Sequence, residues 1–192
     1  MTTPDGRIVI ETQDARAVRA HRTTRETDVD VVLRLDGAGE ADVQTGVGAY
    51  DHLLGSMAHH GLLDLRVRAT GDLHVDEHHT VEDVALVLGS ALAAALGDRA
   101  GIVRFGDASV PMDESLATAV VDVGGRPYAV IDLPFRGERM GGLPLQLVPH
   151  ALEALSRTGG LTLPPGRGPD GHSALGEGAG QATSCSASKA LR

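Results

Sequence analysis

One order of residue types occurs twice in this chain, and that repetition constrains the fold more than any other feature. In residues 51–67, His52 leads a run with apolar Leu53, Leu54, Met57 and Ala58 at helical spacing. His60-Gly61-Leu62 follows eight positions later, with Gly61 placed as a C-cap, and Leu63, Leu65 and Val67 then alternate as one face of a strand. In residues 144–163, His150 leads a similar run, and Thr158-Gly159-Gly160-Leu161 follows eight positions later. A helix–Gly–strand order found twice implies an internal duplication of a unit of roughly 90 residues. Each unit has a β-sheet on one side and helices on the other, which is an α+β architecture. The expected division is 1–98 for the first half-repeat and 99–192 for the second.

The segments between fit that plan. Val29, Val31, Leu33 and Leu35 alternate as a half-buried strand that turns at Asp36-Gly37. From Thr80 to Leu96, the residues Val81, Val84, Ala85, Leu88, Leu92 and Leu96 form a helical stripe that Gly97 ends. LATAVVDVGGRPYAVIDL is expected to be a hairpin across Gly124-Gly125. Aromatics are only 2% of the 192 residues, so the core must be built from Val, Leu, Ile and Ala.

Charge and cysteine usage exclude several classes of function. The net charge is −9 and no Lys/Arg cluster forms a stripe, which argues against nucleic acid or anionic membrane as partner. Cys185 is the single cysteine, so no intrachain disulfide is possible and a reducing compartment fits. No signal-like run opens the chain, and no segment is expected to span a bilayer. A cytoplasmic location is expected.

The chemistry gathers in residues 71–92, GDLHVDEHHTVEDVALVLGSAL. This stretch holds His74, His78 and His79 with Asp72, Asp76, Glu77, Glu82 and Asp83. On a helix His78 and Glu82 share a face and can reach one ion, while His79 and Asp83 share a face rotated by about 100°. Adjacent histidines therefore serve different ions, or one serves an ion and the other a substrate. Imidazole with carboxylate suits borderline divalent metals such as Mn, Fe, Co or Zn. Alone, His-His-x-x-Glu is more often a solvated helix start whose acids are favoured by the dipole.

Its surroundings are more specific. RTTRETDVDVVLRLDGAG, TGVGAYDHLLGSMAHHGLLDL, GDLHVDEHHTVEDVALVLG, RFGDASVPMDESLATAVVDVGGRPY and PHALEAL occur in one order along residues 16–163. In that order they resemble imidazoleglycerol-phosphate dehydratase of histidine biosynthesis. The resemblance implies a duplicated α/β unit, a homo-oligomeric 24-mer, and two Mn²⁺ per active site at subunit interfaces. By position, His52 and His79 would be ligands of one manganese, and His78, Glu82 and His150 of the other. Glu26 would contact substrate and move protons, with Glu82 also in the catalytic set. Arg104 and Arg126 would hold the substrate phosphate, for which a guanidinium fork is suited. His52, His60, His78 and Lys189 would complete the substrate contacts. His59 and His74 are expected to be structural or supporting, and His21 to lie at the surface. The implied reaction is an acid–base elimination of water, with the ion as Lewis acid and template and a carboxylate moving protons.

The resemblance breaks after Leu163. Residues 159–180 hold 11 Gly or Pro in 22, too few large apolar side chains to fix a second amphipathic helix. With SASKALR as anchor and Lys189 as the family's lysine, the second His-His-x-x-Glu falls on Gln181-Ala182-Thr183-Ser184-Cys185, where no histidine or glutamate stands. Using His172 and Glu177 instead gives a five-residue spacing in a Gly-rich loop. The family's closing segment, with a Ser and a Lys that hold phosphate, is expected to be absent beyond Arg192. A diverged paralogue or a short window read out of frame would each produce this pattern. The intact motifs of residues 16–163 favour the second. A catalytically impaired homologue, binding metal or phosphate ligand or serving as a passive assembly subunit, is the alternative to a working dehydratase.

Overall fold

Alternation of Val, Leu and Ala with charged residues fixes the first sheet. The computed structural model describes residues 5–164, and within them β1 (Val9–Asp14), β2 (Ala17–Thr23) and β3 (Thr27–Arg34) form an antiparallel meander. Val18, Ala20, Val29, Val31 and Leu33 are buried on one face, as a period of two requires. β4 (Ala41–Gln44) leads into α1 (Gly48–Gly61), and β5 (Asp64–Gly71) returns between β3 and β4, giving the order β1-β2-β3-β5-β4.

α1 corrects one detail. Gly61 is the last helical residue, and Leu62 takes the left-handed cap at φ 52°, donating to the carbonyls of Ala58 and His59. At the other end Asp51 Oδ1 accepts the Thr45 backbone N–H at 2.9 Å, an acid held where the helix dipole favours it.

α2 (His78–Leu96) is the centre of the core and ends at Gly97. Its expected stripe is buried, but so are Thr80, Asp83, Val87, Gly89, Ala91 and Ala95, because sheet one covers one side of the helix and α3 (Leu147–Gly159) the other. A helix buried on two sides reads as apolar almost all round. It is therefore long and apolar enough, by length and composition, to cross a membrane, contrary to the expectation that no segment is; most of it is buried inside the fold.

The second sheet contains β6 (Phe105–Met112), β7 (Ser115–Asp122), β8 (Tyr128–Ala129) and β11 (Thr162–Leu163), in the order β6-β7-β11-β8; β9 (Arg139–Met140) and β10 (Leu143–Pro144) form a separate short ladder. The hairpin expected across Gly124-Gly125 is not formed. β8 lies apart from β7, and β11 enters between them, antiparallel to β7 and parallel to β8. The Gly125 N–H instead donates to the Gly160 carbonyl at 3.0 Å, which ties the turn to the end of α3. The hairpin of this half is β6–β7, turning at Asp113 with φ 49°.

The strand orders β2-β3-β5-β4 and β6-β7-β11-β8 are the same pattern, with the last-formed strand antiparallel to one neighbour and parallel to the other in each. The division expected at 98/99 falls in the connection between α2 and β6.

Candidate metal centre

α2 and α3 cross closely because Gly89 carries no side chain. A Cβ there would stand 2.2 Å from Thr158 Oγ1 and 2.6 Å from the Leu155 carbonyl oxygen. Thr158 in turn donates to the Leu86 carbonyl at 2.8 Å. This packing brings the first turn of α2 beside His150 of α3. The Nε2 atoms of His78 and His150 are 3.2 Å apart, and His150 Nε2 lies 3.6 Å from Glu82 Oε1. Among the described residues, His78, Glu82 and His150 form a group whose ligand atoms all lie within 4.8 Å of one another. Each is partly buried. Asp76 supports the geometry by accepting the His78 backbone N–H at 2.9 Å on the carboxylate oxygen Oδ1.

Two ligands held about 2.1 Å from one ion at right angles stand about 3 Å apart, so the separations of 3.2 and 3.6 Å suit a single divalent cation. Two imidazoles and one carboxylate are the donor set of a borderline metal. Arg157 NH2 lies 3.3 Å from Glu82 Oε1, a cation on the same carboxylate. Its spacing of seven from His150 on α3 was the signal that could have found it in the sequence.

His79 is turned away from this group. Its Nδ1 is 3.0 Å from Asp72 Oδ2, and that carboxylate raises the imidazole above its ordinary pKa, with smaller help from Asp76 and Glu26. The same contact lowers Asp72. Glu26 sits exposed in the β2–β3 turn, its backbone N–H donating to Thr24 Oγ1 at 3.1 Å. Behind it, Asp83 turns into the core to meet Arg22 and the Thr27 hydroxyl, so the carboxylate sharing the face of His79 is committed to the fold.

His52 is exposed on α1, outside the three-residue group. Tyr50 fixes that helix by donating to the Val81 carbonyl at 3.3 Å, and burial pushes its phenol pKa up. His60 and His59 are exposed at the end of α1, with ring centroids 5.2 Å apart. His21 pairs with Asp28 at 2.9 Å, and His74 is exposed.

The two arginines expected to hold phosphate share one acid. Arg104 binds Asp122 through both carboxylate oxygens at 2.6 and 2.8 Å, and Arg126 reaches it at 3.5 Å. Arg104 and the Gly124 N–H hold Asp122 down to about 2. Asp122 is a residue that sequence reasoning missed; its position two strand residues before Gly124-Gly125 carried no distinctive signal. Lys189, His172, Glu177 and residues 181–185 lie outside the described residues.

A cleft of about 1020 Å³ opens at His78, lined among others by Asp76, Glu77, Glu138, Arg139 and Gln146. Arg139 binds Glu77 at 2.5 Å there. The apolar cavity between α1, α2 and α3, about 370 Å³, offers no imidazole or carboxylate among the described residues.

Fold and site define a duplicated α+β protein whose halves together present an imidazole–carboxylate centre. Residues 45–172 match the family model described as imidazoleglycerol-phosphate dehydratase. The chain is 54% identical over 150 residues to the protein of that name from Chloroflexus aggregans, covering 78% of this chain and 73% of that one. To its namesake from Methanococcoides burtonii it is 51% identical over 148 residues, 77% and 78% of the two chains. The crystal structure of imidazoleglycerol-phosphate dehydratase from Staphylococcus aureus is similar with a TM-score of 0.71 and 28% identity, covering 97% of this chain and 99% of that one. The chain belongs to the imidazoleglycerol-phosphate dehydratase family.

Proposed function

We propose that the chain dehydrates imidazoleglycerol phosphate to imidazole acetol phosphate in histidine biosynthesis, as a metal-dependent hydro-lyase. The reading rests on family membership and on one observation, the approach of His78, Glu82 and His150 from two helices of different half-units. These three would hold one Mn²⁺, and His52 and His79 would contribute to a second. When bound, the metal supplies a Lewis acid and a template. The residues do the remainder. A carbon-bound proton leaves to a carboxylate, for which exposed Glu26 near His79 is the candidate, and hydroxide leaves the neighbouring carbon with a proton as water. The resulting enol takes up a proton at carbon to give the ketone. His60 would contact substrate, and Arg104 and Arg126, pre-aligned by Asp122, would grip its phosphate. A cytoplasmic homo-oligomer of 24 chains belongs to the same proposal.

The substitution of the second motif by Gln181-Ala182-Thr183-Ser184-Cys185 favours a second reading, an impaired homologue or passive assembly subunit. Turnover of imidazoleglycerol phosphate by the purified chain with excess Mn²⁺ separates the two. Turnover that His78→Ala abolishes supports the dehydratase, whereas folded, Mn²⁺-loaded and inactive protein supports the second reading.

A further inference from the structure

Asp72 lies in the loop between β5 and α2, and the neighbouring backbone is built to bring it under His79. A Cβ on Gly71 would stand 2.0 Å from Thr80 Oγ1, so only glycine lets the end of β5 pass this close to the first turn of α2. The Asp72 side chain is 16% exposed against 44% for His79, so the carboxylate lies inside and the ring outside. Oδ2 meets His79 Nδ1 at 3.0 Å, while Oδ1 is buried with no hydrogen-bond partner among the described residues. Asp72 is thus not capping a helix or closing the loop through its side chain. Among the described residues, its side-chain hydrogen bond to another residue goes to the imidazole.

A carboxylate accepts and cannot donate when ionised, so this contact requires the proton of neutral His79 to sit on Nδ1. The lone pair is then on Nε2, at the outward end of the ring. We infer that Asp72 is a positioning residue that holds His79 in the Nδ1–H tautomer and in one ring orientation, presenting Nε2 as its ligand atom. Outer-shell carboxylates act on metal-bound histidines in this way, and losing one costs on the order of 10- to 100-fold in metal affinity. The inference rests on the proposed role of His79 as a metal ligand.

Nitrogen-15 NMR of the His79 ring in the metal-free chain, at a pH where the ring is neutral, reads the tautomer directly. Mn²⁺ titration of the same chains reads the consequence. The wild type is expected to show Nδ1–H. Asp72→Ala is expected to move the proton to Nε2 and to weaken Mn²⁺ binding on the order of 10-fold or more. Asp72→Asn, which keeps the shape and can present either an oxygen or an amide N–H, is expected to give both tautomers, and it decides the matter if Asp72→Ala does not fold. A wild-type ring protonated on Nε2, or an alanine or asparagine variant with wild-type tautomer and wild-type affinity, overturns the inference. His79→Ala separates this failure from that of the underlying reading: if it leaves Mn²⁺ affinity unchanged, His79 is no ligand, while the tautomer measurement still decides what Asp72 does.

Discussion

The two half-units run their strands in the same order, yet their outer faces differ. On the first sheet the outward residues include a lattice of charge: Arg19 meets Asp30 at 2.7 Å, His21 meets Asp28, Arg34 meets Asp14 at 3.0 Å, and Arg68 meets Asp42, with Val9 exposed at the edge strand. On the second sheet Phe105, Leu116, Val120 and Tyr128 face outward, with Phe105 63% and Tyr128 61% exposed. Beside them Arg104 and Arg126 gather about Asp122, and Asp107 is a further exposed charge on β6. The shared feature is therefore the strand order and the buried inner face, while the outer faces differ. The centre follows the same rule, because α2 carries two members of the group and α3 only one, in the position that mirrors His52 of α1.

The largest expected effect tests whether the centre belongs to both halves. His78→Ala and His150→Ala should each abolish turnover and weaken Mn²⁺ binding to a similar degree, measured by initial rates and by titration. If His150→Ala leaves both untouched, the centre belongs to the first half alone and the symmetry argument fails.

Two helix glycines sharpen the comparison next. Gly89→Val forces a side chain against the Leu155 backbone oxygen and should cost about 1–3 kcal/mol, lowering Tm by roughly 2–12 °C and loosening the His78–His150 approach. Gly55 on α1 has only Ala41 Cβ near its notional Cβ, at 3.9 Å. Gly55→Ala should instead raise stability by about 0.5–1 kcal/mol, since glycine inside a helix is the costlier residue. Thermal melts of both variants read the contrast; equal destabilisation would mean that the close crossing is not what Gly89 serves.

These sites show what the sequence could carry. The α2 stripe, the Val29–Leu33 alternation and the His52/His150 correspondence were legible because periodicity is a local property. The face shared by His78 and Glu82 was legible for the same reason. Asp72 was counted among the carboxylates without a role, since its contact depends on Gly71 lying against Thr80. The Gly124-Gly125 hairpin was misread because the strand that fills the gap, β11, comes more than 30 residues later, and local turn chemistry carries no information about a later insertion. Asp83 shares a helix face with His79 by spacing and is held by Arg22 and Thr27, partners that come from a hairpin far upstream.

Acid should distinguish the second half at Asp122. Its folded pKa of about 2 lies below the ordinary 3.8, so the ionised form is favoured by folding. That stability is present in full above the ordinary value and is lost as pH falls from about 4 toward about 2. Urea midpoints of the wild type and Asp122→Asn should differ at neutral pH and converge across that interval. A constant difference down to about pH 2 would mean that Asp122 acts by shape rather than charge.

The smallest effect is expected on the outer face of the first sheet. Arg19 is 48% exposed and its partner Asp30 18%, and the pair closes across neighbouring strands at 2.7 Å. An exposed ion pair gains little, because water screens it and two long side chains must be held still, so Arg19→Ala should cost no more than about 1 kcal/mol and less in high salt. Phe105→Ser on the second sheet removes a ring that is mostly in water and under the Arg104 guanidinium, 4.8 Å from its centroid, and should cost the isolated chain a similarly small amount. The informative readout is the difference between them as concentration rises. If another copy covers the apolar second face while the charged first face stays in water, Phe105→Ser should lose a concentration-dependent part of its Tm while Arg19→Ala should not. Parallel concentration dependence in the two variants would mean that the apolar outer face is solvated like the charged one, and the contrast between the half-units would then be one of composition alone.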